Sequence, residues 1–313
     1  MDNIEKVCDY LLKNNNYLIL MHDSPDGDTV GSGYALCRAL RNIGKNADCA
    51  CGDTIPDKYG YMTEGVEPFG GEYEHIISVD VADIKLIKKL GEMYKDRIEL
   101  CIDHHQSNTG YAKNTLLKSD AAATCEIIYE VVKALGCGIT PKIAECLYTG
   151  ITTDTGCFKY SNVTPETHRI AAELMETGID TAEINRVMFD TKSFARLRVE
   201  RLALESMELS LDGKCAILVL TDEMQKMAPP EDLEGIKAIT RQIEGVKIGI
   251  TMRQKSTNGY KISIRTHSPF DASAICGKLG GGGHLRAAGC EVELPLIEAK
   301  AAVLNAVREV TGL

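Results

Sequence analysis

The sequence predicts an α/β protein in two domains, the first on a largely parallel β-sheet flanked by helices and the second a smaller α/β unit. Three observations predict it. The chain's 313 residues are about twice a typical domain length. In the first half, apolar runs of about five residues alternate with helical patterns, as expected of strands buried on both faces. In the second half the alternation resumes beyond a charged helical stretch, and Asn258-Gly259 supplies a hairpin turn signal between two strands.

Residues 1–16 carry Asp2, Glu5 and Asp9 among apolar residues at helical spacing. That predicts an amphipathic first helix, since a signal peptide would begin basic and continue apolar. A buried strand follows at 17–21, then a loop and a helix over about 31–43. Further buried strands are expected at His75–Val79 and 98–102, and helices at 121–135, 141–150 and 165–177. Thr140-Pro141 has the N-cap-then-proline order of a helix start. The reading divides the chain into a catalytic domain over 1–185, a helical connector over 186–210 and a second domain over 211–313. In the last, strands are expected at Cys215–Leu220, 246–252 and 260–266, and helices at 233–243 and 271–279, the latter running into four glycines.

Composition narrows the function. No apolar run approaches the roughly 20 residues of a membrane span, so the expectation is a cytoplasmic protein without membrane partners. The 12 cysteines include no CxxC pair and sit largely in apolar segments, which reads as reduced, buried thiols. A net charge of −10 argues against gripping long duplex DNA by counterion release. The charge is uneven: from Ser210 onward there are 13 basic and 12 acidic residues, against 22 and 33 before it. The first part suits metal cations, and the second can receive an anion.

Four segments carry the candidate chemistry. His22-Asp23-Ser24-Pro25-Asp26-Gly27-Asp28 follows the first strand, where an open α/β sheet presents its functional loops. Its carboxylates repel one another unless a cation joins them; the plainer reading is a polar turn capping the next helix. Asp80 ends the second apolar run, with Asp83 read as a helix cap. Asp103-His104-His105 ends the third, where one histidine can ligate a metal and the other face a phosphate. Asp154 lies in what reads as a turn over 152–156. Oxygen and imidazole donors without thiolate suit Mn²⁺, with Mg²⁺ or Co²⁺ as substitutes. Two ions sharing a carboxylate would generate a nucleophile from water and neutralise phosphate charge. In the second domain, residues 280–289 combine exposed glycine amides with His284 and Arg286, a set suited to an anion; a flexible linker is the alternative.

These motifs, in this order, resemble the DHH phosphoesterases, named for the Asp103-His104-His105 triplet, with a second domain similar to the associated DHHA1 domain. The resemblance covers essentially the whole chain. It implies one ion on His22, Asp26 and Asp80 and a second on Asp28, Asp80, His104 and Asp154, with Asp80 bridging. It further implies that His105 contacts the scissile phosphate while Asp103 supports the histidines. Arg265, Gly282, Gly283, His284 and Arg286 would bind the rest of the substrate across an interdomain cleft. Leu285 departs from the basic residue of many relatives, which weighs against longer polyanions.

The substrates implied are short oligoribonucleotides and 3′-phosphoadenosine 5′-phosphate (pAp), with short DNA as a further candidate. The alternative is a cyclic di-AMP or pApA phosphodiesterase. A non-catalytic nucleotide sensor would be expected to have lost a metal ligand, and none is missing. The sequence leaves open the general acid, cleavage polarity and oligomeric state, a homodimer included.

Overall fold

In a computed structural model describing residues 3–313, the chain divides into two compact units, the first ending at Thr191 and the second spanning Lys192–Leu313. Met1 and Asp2 of the expected first helix lie outside the described residues. That helix, α1, occupies Ile4–Lys13, and the Asn3 side chain caps it by accepting from the Lys6 amide.

The first unit continues with β1 (Tyr17–Leu20), α2 (Gly27–Asn42), β2 (Ala47–Ala50), α3 (Gly60–Thr63), β3 (His75–Val79), α4 (Lys88–Tyr94), β4 (Ile98–Asp103) and β5 (Thr115–Leu117). Helices α5 (Thr124–Ala134), α6 (Pro141–Asp154), α7 (Pro165–Met175) and α8 (Thr181–Asn185) complete it. The strands form one sheet in the order β2-β1-β3-β4-β5, parallel throughout. The chain runs from β1 outward to β2 and then crosses back to β3 on the other side of β1. Order reverses there, so the carboxyl ends of β1 and β3 flank a topological switch point. Both faces are packed: Ile19, Ile77, Leu100 and Ile102 join the helices α1, α2, α5 and α6, while Leu18, Leu20, Ile76 and Ile98 face the α4 side. Burial on both faces accounts for runs that are continuously apolar rather than alternating.

Two helices differ in extent from the sequence expectation, and both differences matter for the site. Helix α2 begins at Gly27 because the Asp26 side chain accepts from the Asp28 and Thr29 amides, nucleating the first turn earlier than the apolar pattern implies. Helix α6 runs past Gly150 to Asp154, so 152–154 is helix rather than turn, with the Thr153 and Thr155 hydroxyls bonding back to carbonyls of the preceding turn.

The second unit comprises α9 (Phe194–Glu205), β6 (Glu208–Ser210), β7 (Cys215–Leu220), α10 (Asp222–Gln225), α11 (Pro230–Leu233), β8 (Ile248–Ser256), β9 (Gly259–Thr266), α12 (Ala272–Gly277), β10 (Gly282–His284), β11 (Ala287–Glu293) and α13 (Leu296–Thr311). The helix expected over 233–243 is a 3-10 segment at Glu234–Arg241. The sheet is mixed, in the order β10-β11-β9-β8-β7-β6, with β7 and β8 parallel and the other pairs antiparallel. Ile217, Ile250, Ile262 and Ile264 face α12 and α13, and Leu218 and Leu220 face α9. All 12 cysteines are free thiols, nine of them buried. No described helix is long and apolar enough to cross a membrane.

Candidate active site

Strand register gathers the acidic motifs. Leu20 pairs with Ser78 and Val79 with Ile102, so His22, Asp80 and His104 emerge almost level at the carboxyl edge of the sheet. Asp80 takes φ 57°, a left-handed turn that directs its carboxylate across the edge. Its Oδ1 accepts from the Thr124 hydroxyl at 2.9 Å, at the start of α5.

Asp28, in the first turn of α2, is 1 % exposed and accepts the Thr124 and Cys125 amides at 2.7 and 2.9 Å. Helix α5 has no side-chain cap of its own; a carboxylate from α2 supplies one at the positive end of its dipole. Small residues permit the approach. A Cβ on Gly150 of α6 would stand 2.2 Å from Cys125 Sγ and 2.8 Å from Asp28 Oδ1, and one on Gly31 would stand 2.4 Å from the Cys146 carbonyl. Without those gaps α6 would be pushed off α2, and Asp154, its last residue, would leave Asp28.

The six candidate ligands fall into two sets. His22 Nε2 lies 3.7 Å from Asp26 Oδ1 and 3.6 Å from Asp80 Oδ2. His104 Nε2 lies 3.8 Å from Asp80 Oδ1, 4.0 Å from Asp28 Oδ2 and 3.4 Å from Asp154 Oδ2. The two oxygens of Asp80 thus face different sets. Each histidine has its Nδ1 beside a backbone carbonyl, Asp23 at 2.9 Å and Ala121 at 3.2 Å, which fixes the tautomer and turns Nε2 into the cluster. The separations within the cluster exceed hydrogen-bonding length, leaving donor atoms that converge without bonding one another.

Electrostatics agree with a cation-binding role. Burial, then the charges of Asp80 and Asp26, hold the Asp28 carboxyl well above its ordinary range. Burial, then Asp28 and Asp80, push Asp154 up to about 8. Burial opposes ionisation of His22, but the Asp26 and Asp80 carboxylates outweigh it and push the imidazole up to about 11. The metal-free cluster therefore takes up protons for want of other positive charge. Oxygen and imidazole donors in this arrangement fit a hard or borderline divalent ion.

Asp103 belongs to neither set, while His105 converges with Asp80 and His104 within 4.8 Å but is held by Asp103. Asp103 is fully buried; its Oδ1 accepts the His104 amide at 2.9 Å and His105 Nδ1 at 2.8 Å, and its Oδ2 accepts Asn108 Nδ2 at 2.6 Å. It therefore orients the His105 ring, whereas the His104 ring is oriented by the Ala121 carbonyl. His105 Nδ1 also lies 3.6 Å from Asp80 Oδ1, but its bond to Asp103 occupies that nitrogen. The hydrogen bond to Asp103 outweighs burial and raises His105 to about 9. Thr124, Asn108 and Ala121 are not marked by the sequence. They act through a hydroxyl, an amide and a carbonyl whose partners are fixed by folding, and no motif points to them.

In the second unit, residues 282–289 form a hairpin: Gly282, Gly283 and His284 pair with Gly289, Ala288 and Ala287. A flexible linker is thereby ruled out. Gly283 has φ 150°, and a Cβ there would stand 2.7 Å from the Ala287 carbonyl. Strand β10 is a sheet edge, so part of its amides face away from β11. His284 lies opposite Ala287, which lies opposite Arg265, placing both basic residues in one row on one face. Arg286 instead donates from Nη1 to the Phe270 carbonyl at 2.5 Å, bracing the turn before α12.

A mixed oxygen-imidazole cluster at the switch point of a parallel sheet, with a mixed-sheet unit that carries a glycine-rich edge hairpin, suits a phosphoric ester hydrolase. The chain belongs to the DHH family: residues 16–151 match the DHH family N-terminal domain, and residues 212–312 match the DHHA1 domain. It is similar to the bifunctional oligoribonuclease and PAP phosphatase NrnA of Thermus thermophilus, with 31% identity over 299 residues, 93% of this chain and 89% of that protein. A crystal structure of an exopolyphosphatase-related protein from Bacteroides fragilis superposes with a TM-score of 0.87 at 27% identity, covering 98% of this chain and 95% of that one. The fold is shared with the exonuclease RecJ in a manganese-bound crystal structure, at TM-score 0.58 and 14% identity over 98% of this chain and 95% of that one.

Proposed function

We propose that this protein is a manganese-dependent phosphoesterase with a two-ion centre that hydrolyses oligoribonucleotides of a few residues and pAp. The observation that carries the two-ion reading is the split of Asp80, whose Oδ2 faces His22 and whose Oδ1 faces His104. On that reading His22, Asp26 and Asp80 hold one ion, and Asp28, Asp80, His104 and Asp154 hold the other. The activities named for the Thermus thermophilus relative support the substrates, and the manganese of RecJ supports the choice of ion.

When bound, a divalent pair supplies an acidified water and positive charge against the phosphate oxygens. The chain's own residues do the rest. Asp103 holds His105 by Nδ1, leaving the other edge of a ring that is 42% exposed for a phosphate oxygen. The Asp103 hydrogen bond favours the protonated ring, and a protonated His105 would meet the charge developing on that oxygen as a donor already aligned. Thr124 holds Asp80 at Oδ1, and the α5 amides hold Asp28, so neither carboxylate needs to reorient. Arg265, His284 and the Gly282-Gly283 amides are assigned to the substrate's remaining phosphate or base. The Arg286 side chain is assigned to shaping that hairpin.

A Mn²⁺-supplemented panel of pAp, a two- to five-nucleotide RNA ladder, cyclic di-AMP, pApA and pyrophosphate tests this. Release of AMP from pAp with stepwise shortening of the ladder is expected. Preference for cyclic di-AMP or pApA would replace the substrate assignment while keeping the centre. Bound metal without turnover of any of them would refute the catalytic reading.

A further inference from the structure

The second unit contains a cavity of about 100 Å³ whose polar lining is Lys237, Thr251, Arg253, Lys261 and Ser263, with no carboxylate among the lining residues. It lies between the 3-10 segment Glu234–Arg241 and the sheet face opposite the α12–α13 core. On β9, Lys261 and Ser263 alternate with Tyr260, Ile262 and Ile264, which are buried in that core. On β8, Thr251 and Arg253 alternate likewise with Ile250 and Met252.

Strand register makes the cavity unusual. Arg253 pairs directly with Lys261, and Thr251 with Ser263. Two cations directly opposite on neighbouring strands have Cβ atoms about 5 Å apart and repel, and Glu291, opposite Lys261 on β11, offsets part of that repulsion. Neither forms an ion pair among the described residues; the Arg253 guanidinium donates to the neutral Gln225 Oε1 at 3.1 Å. Lys237 adds a third cation from the opposite wall. Three cations and two hydroxyls around a space of this size form a receptor for a tetrahedral oxyanion, whose charge removes the repulsion.

Arg265 lies on the same face of β9 as the cavity, two residues beyond Ser263 and four beyond Lys261, spans of about 7 and 13 Å at strand rise. An anion held at the Arg253–Lys261 end of the cavity is therefore more than one nucleotide unit from one at Arg265. We infer that this cavity is a distal phosphate subsite, engaged by the second or later backbone phosphate of an oligonucleotide and out of reach of pAp. The inference rests on the oligonucleotide reading above and extends it: the cavity favours chains of three or more residues over the mononucleotide bisphosphate.

The test is direct binding without turnover. A 5′-labelled pentaribonucleotide is titrated in chelator against the full-length chain and its Arg253→Gln/Lys261→Gln double variant, over a series of salt concentrations, with pAp binding measured in parallel. Expected are about tenfold weaker pentamer binding at low salt and a salt slope shallower by about 0.7 for each phosphate no longer neutralised, with pAp affinity unchanged. The single Lys261→Arg variant, which keeps the charge, should retain most of the pentamer affinity. Unchanged pentamer affinity and slope in the double variant overturn the subsite. An equal loss for pAp also overturns it, by merging the cavity with the primary site. Because the readout is binding, a wild-type chain that binds the pentamer through this cavity but hydrolyses no RNA would refute the proposed activity and leave the subsite standing.

Discussion

Asp80→Asn separates the two roles that the structure gives this residue. The backbone φ of 57° is one that asparagine tolerates better than alanine does, so the amide keeps the turn and the Thr124 bond with little strain. Ligand atoms of His22, Asp26 and Asp80 lie within 4.8 Å of one another. At an effective dielectric near 20, two carboxylates at that distance repel by roughly 3 kcal/mol. Asp26 is 55% exposed, so solvent screening leaves about 1–2 kcal/mol. The His22 imidazolium, 3.6 Å from Asp80, attracts the same carboxylate and offsets that repulsion, so in chelator the variant should match wild type within about 1 kcal/mol. With Mn²⁺ the two should separate. Wild type gains about 4 kcal/mol at a thousandfold excess over its dissociation constant, whereas the variant lacks the carboxylate both ligand sets share. Hydrolysis should fall by more than about 100-fold, beyond what losing a supporting residue costs a metal site. Thermal melts with chelator and with Mn²⁺, alongside metal content and turnover, measure all three. A variant that keeps the full Mn²⁺ shift, or one that departs from wild type in chelator by several kcal/mol, would refute the reasoning.

Gly150→Ala should cost about 1–3 kcal/mol from overpacking where α6 meets α5 and reduce metal affinity by moving Asp154, read by chemical denaturation and metal titration; full metal affinity would show that the crossing does not set the site. Asp103→Asn should leave metal content intact while lowering kcat, because Asp103 bonds the His105 ring and neither ligand ring; loss of metal in place of kcat would contradict that division. The metal-free protein should lose stability as pH rises from about 5 to 8. The folded-state pKa of Asp154 is raised to about 8 from an unfolded value near 3.9, so its protonated form stabilises the fold at low pH and that contribution fades between the two values. Asp28, held up by burial and its neighbours, acts in the same direction. Mn²⁺ should flatten the profile, and a metal-free profile that rises with pH would be inconsistent with the repulsion described.

The sequence by itself determined the strands of the first unit and which acids and histidines they deliver to the sheet edge. Continuous apolar runs can only be buried on both faces, and acids or histidines directly after such runs must emerge at the sheet edge. His22, Asp80 and His104 were legible for that reason. Asn258-Gly259 likewise fixed the β8–β9 hairpin through local turn chemistry. What only the tertiary structure decided lies where the partners are remote in sequence. Asp28 caps a helix 96 residues away, which is why it is buried and why α2 and α5 meet. Asp154 reads locally as part of a turn, yet hydroxyl back-bonds and packing against α2 carry α6 through it. The split of Asp80 between two ligand sets depends on strand register, and so does the meeting of Arg253 and Lys261 across β8 and β9. Apolar periodicity specifies which face of an element is buried; it carries no information about which element, a hundred residues away, will lie against it.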